Sequence, residues 1–225
     1  MKKIILSLAL MIALIPCTNA YSYESEIISV DRLTKINKRI DEIGFRILNS
    51  NGIEKRTTFN YSTKKVKNAY SKHSNREIVM FEGLYIKLSS DDEIAAILAH
   101  EISHSVDSYQ GILRGYFSNL SYYLSPKKYE LKADKRAVDY LVNAGYNPVA
   151  IIVTLNKIAP QTRYEWCSTH PLTSRRLEDI YEYIYKKYPE YLVNNVYKEN
   201  PYYQNFLLTS KQARAKFQNR VSKNI

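Results

Sequence analysis

Apolar side chains recur every three or four residues along much of the chain, which is the spacing of one face of an α-helix. The first run predicts a helix over about residues 30–48 and consists of Leu33, Ile36, Ile40, Ile43 and Ile47. Later runs predict helices over 91–108, 126–144, 147–159 and 171–187. Ser90 and Glu93 form a capping box at the start of the second of these helices. Helices therefore account for most of the expected structure.

Residues 53–88 follow a different pattern. Three short β-prone segments, 57–59, 66–70 and 78–81, predict a small antiparallel sheet. Only 6 Gly and 7 Pro occur in 225 residues, which argues against a turn-dense β-sandwich. The expected fold class is α+β, mostly helical, with the small antiparallel sheet preceding the 91–108 helix.

The first twenty residues have the pattern of a secretory signal peptide. Lys2 and Lys3 precede an apolar stretch over residues 4–16, and small residues follow up to Ala20. We therefore expect residues 1–20 to be removed and the protein to be exported, to the periplasm, the envelope or the medium. Cys17 leaves lipid anchoring open, although Pro16 stands where lipoprotein signals prefer Gly or Ala. A retained N-terminal anchor is the third alternative, disfavoured because the apolar stretch is short.

The charge is unevenly distributed. The chain has 33 Lys and Arg against 22 Asp and Glu, a net charge of +11 that favours anionic surfaces. Residues 185–225 alone carry eight basic and two acidic side chains. We expect a main domain over 21–188 and a basic, Tyr- and Asn-rich extension over 189–225. Through this extension, or a lipidated Cys17, the protein could associate with a membrane surface. Export argues against a nucleic-acid partner.

The strongest chemical signal lies inside the 91–108 helix. His100, Glu101 and His104 form an HExxH sequence, and residues four apart on a helix share one face. Two imidazoles placed in this way can bind one Zn²⁺ ion. Glu101 would lie beside the ion as the general base for the water that zinc activates. The alternative is two histidines that merely cap or pack a helix.

The third ligand defines the class of zinc site. A metzincin would have Gly and His where Asp107 and Gln110 stand, so that class is excluded. Gluzincins take a Glu from a following helix, and Glu130 fits this arrangement. Asp134, one turn later, could fix the tautomer of a ligand histidine. The alternative for both acids is an ordinary solvated face, since four lysines lie nearby.

Several segments together resemble the zinc metallopeptidases typified by HtpX and BepA, which are gluzincins of peptidase family M48. The matching segments follow the order of that family and cover 68–70, 78–85, 92–101, 130–148 and 168–176. The resemblance implies a zincin-like metalloendopeptidase domain with one Zn²⁺ per chain, bound by His100, His104 and Glu130. It also implies protein or peptide substrates, namely unfolded or misassembled envelope proteins, and a role in envelope quality control.

The same resemblance implies roles for residues outside the ligand set. His170 would stabilise the oxyanion, and Arg176 would position the site by pairing with a carboxylate. A free edge strand would bind the substrate backbone and contains Asn68, Ala69 and Tyr70. A surface histidine is the alternative for His170.

The chain departs from the family pattern at a few positions. Ser103 stands where the family usually has Gly, and the segment between His104 and Glu130 is short. Cys167 is expected to be a buried inert thiol, with zinc coordination as the alternative. A competing function is a binding module resembling a holdase, in which zinc is only structural and the edge strand and basic extension bind partners.

Overall fold

The computed structural model describes residues 15–72, 76–107, 126–158 and 173–223. By its internal contacts the chain divides into Met1–Arg39 and Ile40–Ile225. The described part of the first unit is helical, and the second unit contains the sheet and all the later helices. In chain order the elements are α1 (Ile15–Ser50), β1 (Thr58–Ser62), β2 (Ala69–Lys72), β3 (Glu77–Phe81), α2 (Glu82–Tyr85), α3 (Asp91–Asp107), α4 (Pro126–Asn143), α5 (Ala150–Ile158), α6 (Thr173–Lys187), α7 (Glu190–Val193), α8 (Pro201–Thr209) and α9 (Lys211–Ser222).

The first helix is longer than its apolar repeat predicts. It runs without a break from Ile15 to Ser50, because neither Gly nor Pro interrupts residues 17–43. It ends at the predicted turn, where Gly52 adopts a φ of 59° and the Ile53 N–H donates to the Leu48 carbonyl at 3.0 Å. Among the described residues, no helix is both long and apolar enough to cross a bilayer.

The sheet is mixed, with strand order β1–β3–β2. The antiparallel prediction is confirmed for β2 and β3 and is wrong for β1, which pairs parallel with β3. β3 is the most apolar of the three strands, and its Ile78, Val79 and Met80 are buried. Burial favours the central place for β3, so it lies between the two strands that precede it in the chain. β2 is therefore an edge strand of this sheet.

α3 is the central helix of the second unit. It packs against β2, β3, α4 and α5, and its alanines 95, 96 and 99 permit close approach of these neighbours. At its start, the Glu93 N–H donates to the Ser90 hydroxyl at 3.2 Å, as the capping box predicts. The Glu93 carboxylate accepts from the Ser89 N–H rather than from that of Ser90, and it pairs with Lys157 at 2.7 Å. The start of α3 is thus joined to α5.

Residues 189–225, predicted as an extension, contain α7, α8 and α9. Phe206 and Phe217 are almost fully buried, and their rings lie 5.7 Å from Tyr181 and 5.3 Å from Tyr185 on α6. The Tyr197 hydroxyl donates to Asp92 at 3.0 Å. These helices therefore pack on α6, and the loop before α8 bonds to the first turn of α3.

We expect the change Gly83→Ala to destabilise the protein. An added Cβ would lie 2.6 Å from the Lys65 carbonyl carbon and 2.7 Å from the Val66 oxygen, and backbone cannot move aside easily. The overlap should cost about 2–3 kcal/mol of the free energy of unfolding, measured in urea. Gly52→Ala is the control: it meets no atom within 4 Å and adds only the left-handed backbone cost of about 1 kcal/mol. Equal losses in the two variants would contradict the close approach.

Candidate active site

The predicted ligands lie on two adjacent helices. α3 buries its apolar face through Ile94, Leu98 and Ile102, which turns His100 and His104 towards α4. α4 presents Glu130 from its second turn, and this side chain is fully buried. The packing of the two helices thus brings together groups that are about thirty residues apart in the sequence.

Three donor groups converge at this contact. The Nε2 atoms of His100 and His104 are 3.1 Å apart, and they lie 3.4 and 3.3 Å from the two oxygens of Glu130. Ligands about 2.05 Å from a tetrahedral ion are about 3.3 Å from one another. Two imidazole lone pairs repel at such a distance unless a cation or a shared proton lies between them. The residues therefore fit a Zn²⁺ ion both in chemistry and in spacing.

Asp134 and Arg176 hold the ligands in place. The Nδ1 atom of His100 lies 3.0 Å from Asp134, which leaves Nε2 as the ligand atom. Arg176, on α6, donates from Nε and Nη2 to the two oxygens of Asp134, each at 2.7 Å. Its Nη1 atom lies 3.0 Å from Glu130. One buried guanidinium thus contacts both carboxylates.

The charges of this cluster shift the pKa values of its members. Burial raises the pKa of Asp134, but the attraction and hydrogen bonds of Arg176 outweigh that effect and hold the pKa below 3.8. Burial lowers the pKa of Arg176, whereas Asp134, Glu130 and Glu101 together raise it above its ordinary value. Glu101 is itself buried. Three carboxylates thus face one guanidinium, and the two negative charges left over match a divalent cation.

We expect zinc binding to depend strongly on pH. Burial opposes a charge on His100, but hydrogen bonds to Asp134 and Glu130 raise its pKa to about 10 in the metal-free protein. An incoming ion must therefore displace a proton, so zinc affinity should rise about tenfold per pH unit from about pH 7 to 9. Chelator competition across this range measures the effect, and an affinity independent of pH would contradict it.

The stability of the metal-free protein should change with pH in the opposite direction to its zinc affinity. A pKa raised from 6.5 to about 10 stabilises the fold fully below pH 6.5, and this contribution is lost as the pH rises through about 10. Urea unfolding of the metal-free protein should accordingly show a falling stability over that interval.

The structure also places the predicted substrate strand. Asn68 precedes β2 and its carbonyl accepts from the Phe81 N–H at 3.2 Å, while Ala69 and Tyr70 are the first residues of β2. Ala69 is buried, and Tyr70 is 39% exposed. α3, the helix that carries His100 and His104, packs against β2. His170 and Cys167 lie outside the described residues.

Sequence reasoning missed two residues that support α3. Arg136 on α4 donates to the carbonyl of Ser103, and Lys157 on α5 pairs with Glu93. Arg136 is one of five basic residues on α4 and does not stand out by its local sequence. Lys157 is the only charged residue of α5, but its local sequence does not reveal its partner. Their partners lie 33 and 64 residues away, and only tertiary contacts reveal them.

Comparison with known families gives one match. The sequence matches peptidase family M48 over residues 34–124 and 113–184, which is more than half of the chain and includes α3, α4 and most of α6. Comparison with curated protein sequences gives no significant match. The members of family M48 are zinc-dependent peptidases, and the His100, His104 and Glu130 donor set is of the kind that such an enzyme requires. The chain therefore belongs to peptidase family M48, the zinc metallopeptidases.

Proposed function

We propose that this protein is an exported zinc endopeptidase that cleaves unfolded or misassembled proteins of the cell envelope. The observation that carries the proposal is the convergence of His100, His104 and Glu130 with separations of 3.1–3.4 Å, beside the buried Glu101. Three protein ligands leave one position of a tetrahedral ion open for water or substrate. A purely structural zinc site, as in a holdase-like module, has four closed ligands and needs no adjacent carboxylate.

Each residue has a definite task in this proposal. Bound Zn²⁺ would polarise the scissile carbonyl and lower the pKa of the attacking water. Glu101 accepts a proton from that water and returns it to the leaving amine. Asp134 keeps the Nδ1 proton on His100, and Arg176 holds Asp134 and Glu130 in their orientations. His170, by family resemblance, donates a hydrogen bond to the oxyanion.

The substrate would bind as an added strand along the edge of the sheet. β2 has a neighbour only on the β3 side within the described sheet, so its other edge can pair with an extended peptide. Backbone pairing of this kind requires an extended segment, which a folded protein rarely exposes. An unfolded chain is therefore the substrate class that this edge supports.

A protein-cleavage assay tests the catalytic proposal. We expect the purified protein to degrade unfolded casein, to lose this activity in a chelator, and to recover it when Zn²⁺ is added back. Cleavage that survives complete removal of metal would contradict the proposal. A folded protein of similar size serves as the control substrate and should resist cleavage.

The location is tested separately, on the protein recovered from its own cells. The proposal expects an intact mass that begins at Tyr21, as cleavage after Ala20 requires. A mass that begins at a lipid-modified Cys17 would instead show an anchored protein. Retention of Met1 would contradict removal of the signal peptide, whatever the result of the casein assay.

A further inference from the structure

Two cationic side chains hold the last turns of α3, where His104 lies. Arg136, on α4, donates from Nη1 to the Ser103 carbonyl at 3.1 Å and lies 3.4 Å from the Ser103 hydroxyl. Lys55, between α1 and β1, donates to the Val106 carbonyl at 3.3 Å. Cations near the end of a helix bond its last carbonyls and oppose the negative end of its dipole. This end of the metal helix is therefore fixed by residues from other elements.

Arg136 joins the same two helices that carry the ligands. The two helices pack against each other, and Asp134 on α4 already lies 3.0 Å from the Nδ1 atom of His100 on α3. That contact is at the turn of His100, whereas Arg136 holds the next turn, which carries His104, and so restrains a pivot or slide of α3 there. A slide by one residue moves a side chain about 1.5 Å along a helix. Metal–ligand distances tolerate only about 0.2 Å. The register of α3 on α4 thus decides whether the donors can share one ion.

We propose that Arg136 is a positioning residue for the metal site: by holding the Ser103 carbonyl it fixes the turn that carries His104 against the helix that carries Glu130. Arg136 cannot be a ligand, because a guanidinium has five N–H donors and no acceptor. Its role rests on His100, His104 and Glu130 binding the metal and concerns the affinity for that ion.

Ser103 supplies both acceptors of this contact. The residue is fully buried, and its hydroxyl and carbonyl oxygens both face the same nitrogen of Arg136. A charged donor shared between two neutral acceptors is stronger than a neutral hydrogen bond. The carbonyl is the closer acceptor, and the hydroxyl is the one that a substitution can remove.

The test compares Arg136→Met with the wild type and with Arg175→Met as the matched control. Arg175 lies on α6, its side chain is 67% exposed, and it pairs only loosely with Asp179 at 3.6 Å. Zinc affinity is measured by chelator competition, and the free energy of unfolding is measured without metal and with excess Zn²⁺. We expect Arg136→Met to weaken zinc binding about tenfold. The gain in stability on adding Zn²⁺ should then shrink by about 1.4 kcal/mol. Arg175→Met should leave both quantities unchanged.

A merely structural role predicts a different result. Arg136→Met would then destabilise the metal-free and metal-bound proteins equally and leave zinc affinity unchanged, which would overturn the proposal. Arg136→Lys, which keeps one cationic donor, should restore zinc affinity to within about threefold of the wild type. Ser103→Ala should bind zinc at least as tightly as Arg136→Lys does, because the backbone carbonyl of residue 103 remains.

The outcomes separate this proposal from the proposed function. A wild-type protein that gains no stability from Zn²⁺ would overturn the metal site and the role of Arg136 together. A protein that shows the expected variant pattern but cleaves no protein supports the role of Arg136 and contradicts the peptidase proposal.

Discussion

Glu101→Gln is expected to lower kcat/KM for peptide hydrolysis by about 10³-fold while zinc remains bound. The amide keeps the size of the side chain but cannot accept a proton from the attacking water, and general-base catalysis is typically worth 10²–10⁴-fold. Glu101 is not among the three converging donors, so zinc affinity should stay close to that of the wild type. The measurement is the initial rate of cleavage of unfolded casein, with the zinc content determined on the same sample.

A matched substitution makes this result specific. Glu190 lies exposed on α7, in the C-terminal segment, and Glu190→Gln should retain full activity. Wild-type rates in Glu101→Gln would contradict the assigned role of the carboxylate. Loss of zinc together with activity would instead make Glu101 a residue on which the metal site depends, contrary to the proposed division of tasks.

Arg176→Met is expected to cost about 3–5 kcal/mol of the free energy of unfolding, because it leaves buried carboxylates without their cation. The Arg176 side chain is almost fully buried and contacts Asp134 and Glu130, which are also buried. The loss should be largest in the metal-free protein, since a divalent ion would compensate Glu130. Chemical unfolding at pH 7, with and without Zn²⁺, measures both values.

The neighbouring Arg175 provides the control for Arg176 as well. Arg175→Met should change stability by less than about 1 kcal/mol, because exposed ion pairs contribute little. The pKa of Asp134 is held below 3.8 in the folded protein, so Asp134 adds to the free energy of unfolding above pH 3.8. This stabilisation is lost as the pH falls through the lower pKa that Asp134 has in the folded state. The Arg176→Met variant should not show this loss of stability at acid pH. Similar stabilities for the two methionine variants would contradict a buried charge cluster.

The helices were the most predictable part of the fold. α3 and α4 begin at the predicted residues, and each ends within one residue of its predicted end. Capping residues, proline and helical periodicity act over three or four positions, so the local sequence contains the information that sets these limits. Charge and composition predict an extension over 189–225, but they do not reveal its packing through Phe206 and Phe217.

The strand pairing was less predictable. The three segments were found, but the parallel pairing of β1 with β3 was missed, because alternation along a strand does not reveal which neighbour it has. Pairing is decided by which strand gains most from burial in the centre, and that comparison involves the whole sheet and α3 beneath it.

The local sequence determined that His100 and His104 share a helical face and that Glu101 lies beside them. Only tertiary structure decided that Glu130 meets those imidazoles at bonding distance, that Arg176 joins two carboxylates, and that Arg136 holds Ser103. The physical reason is range: helical geometry relates residues one turn apart, whereas these contacts join residues 26 to 46 positions apart and depend on how helices pack.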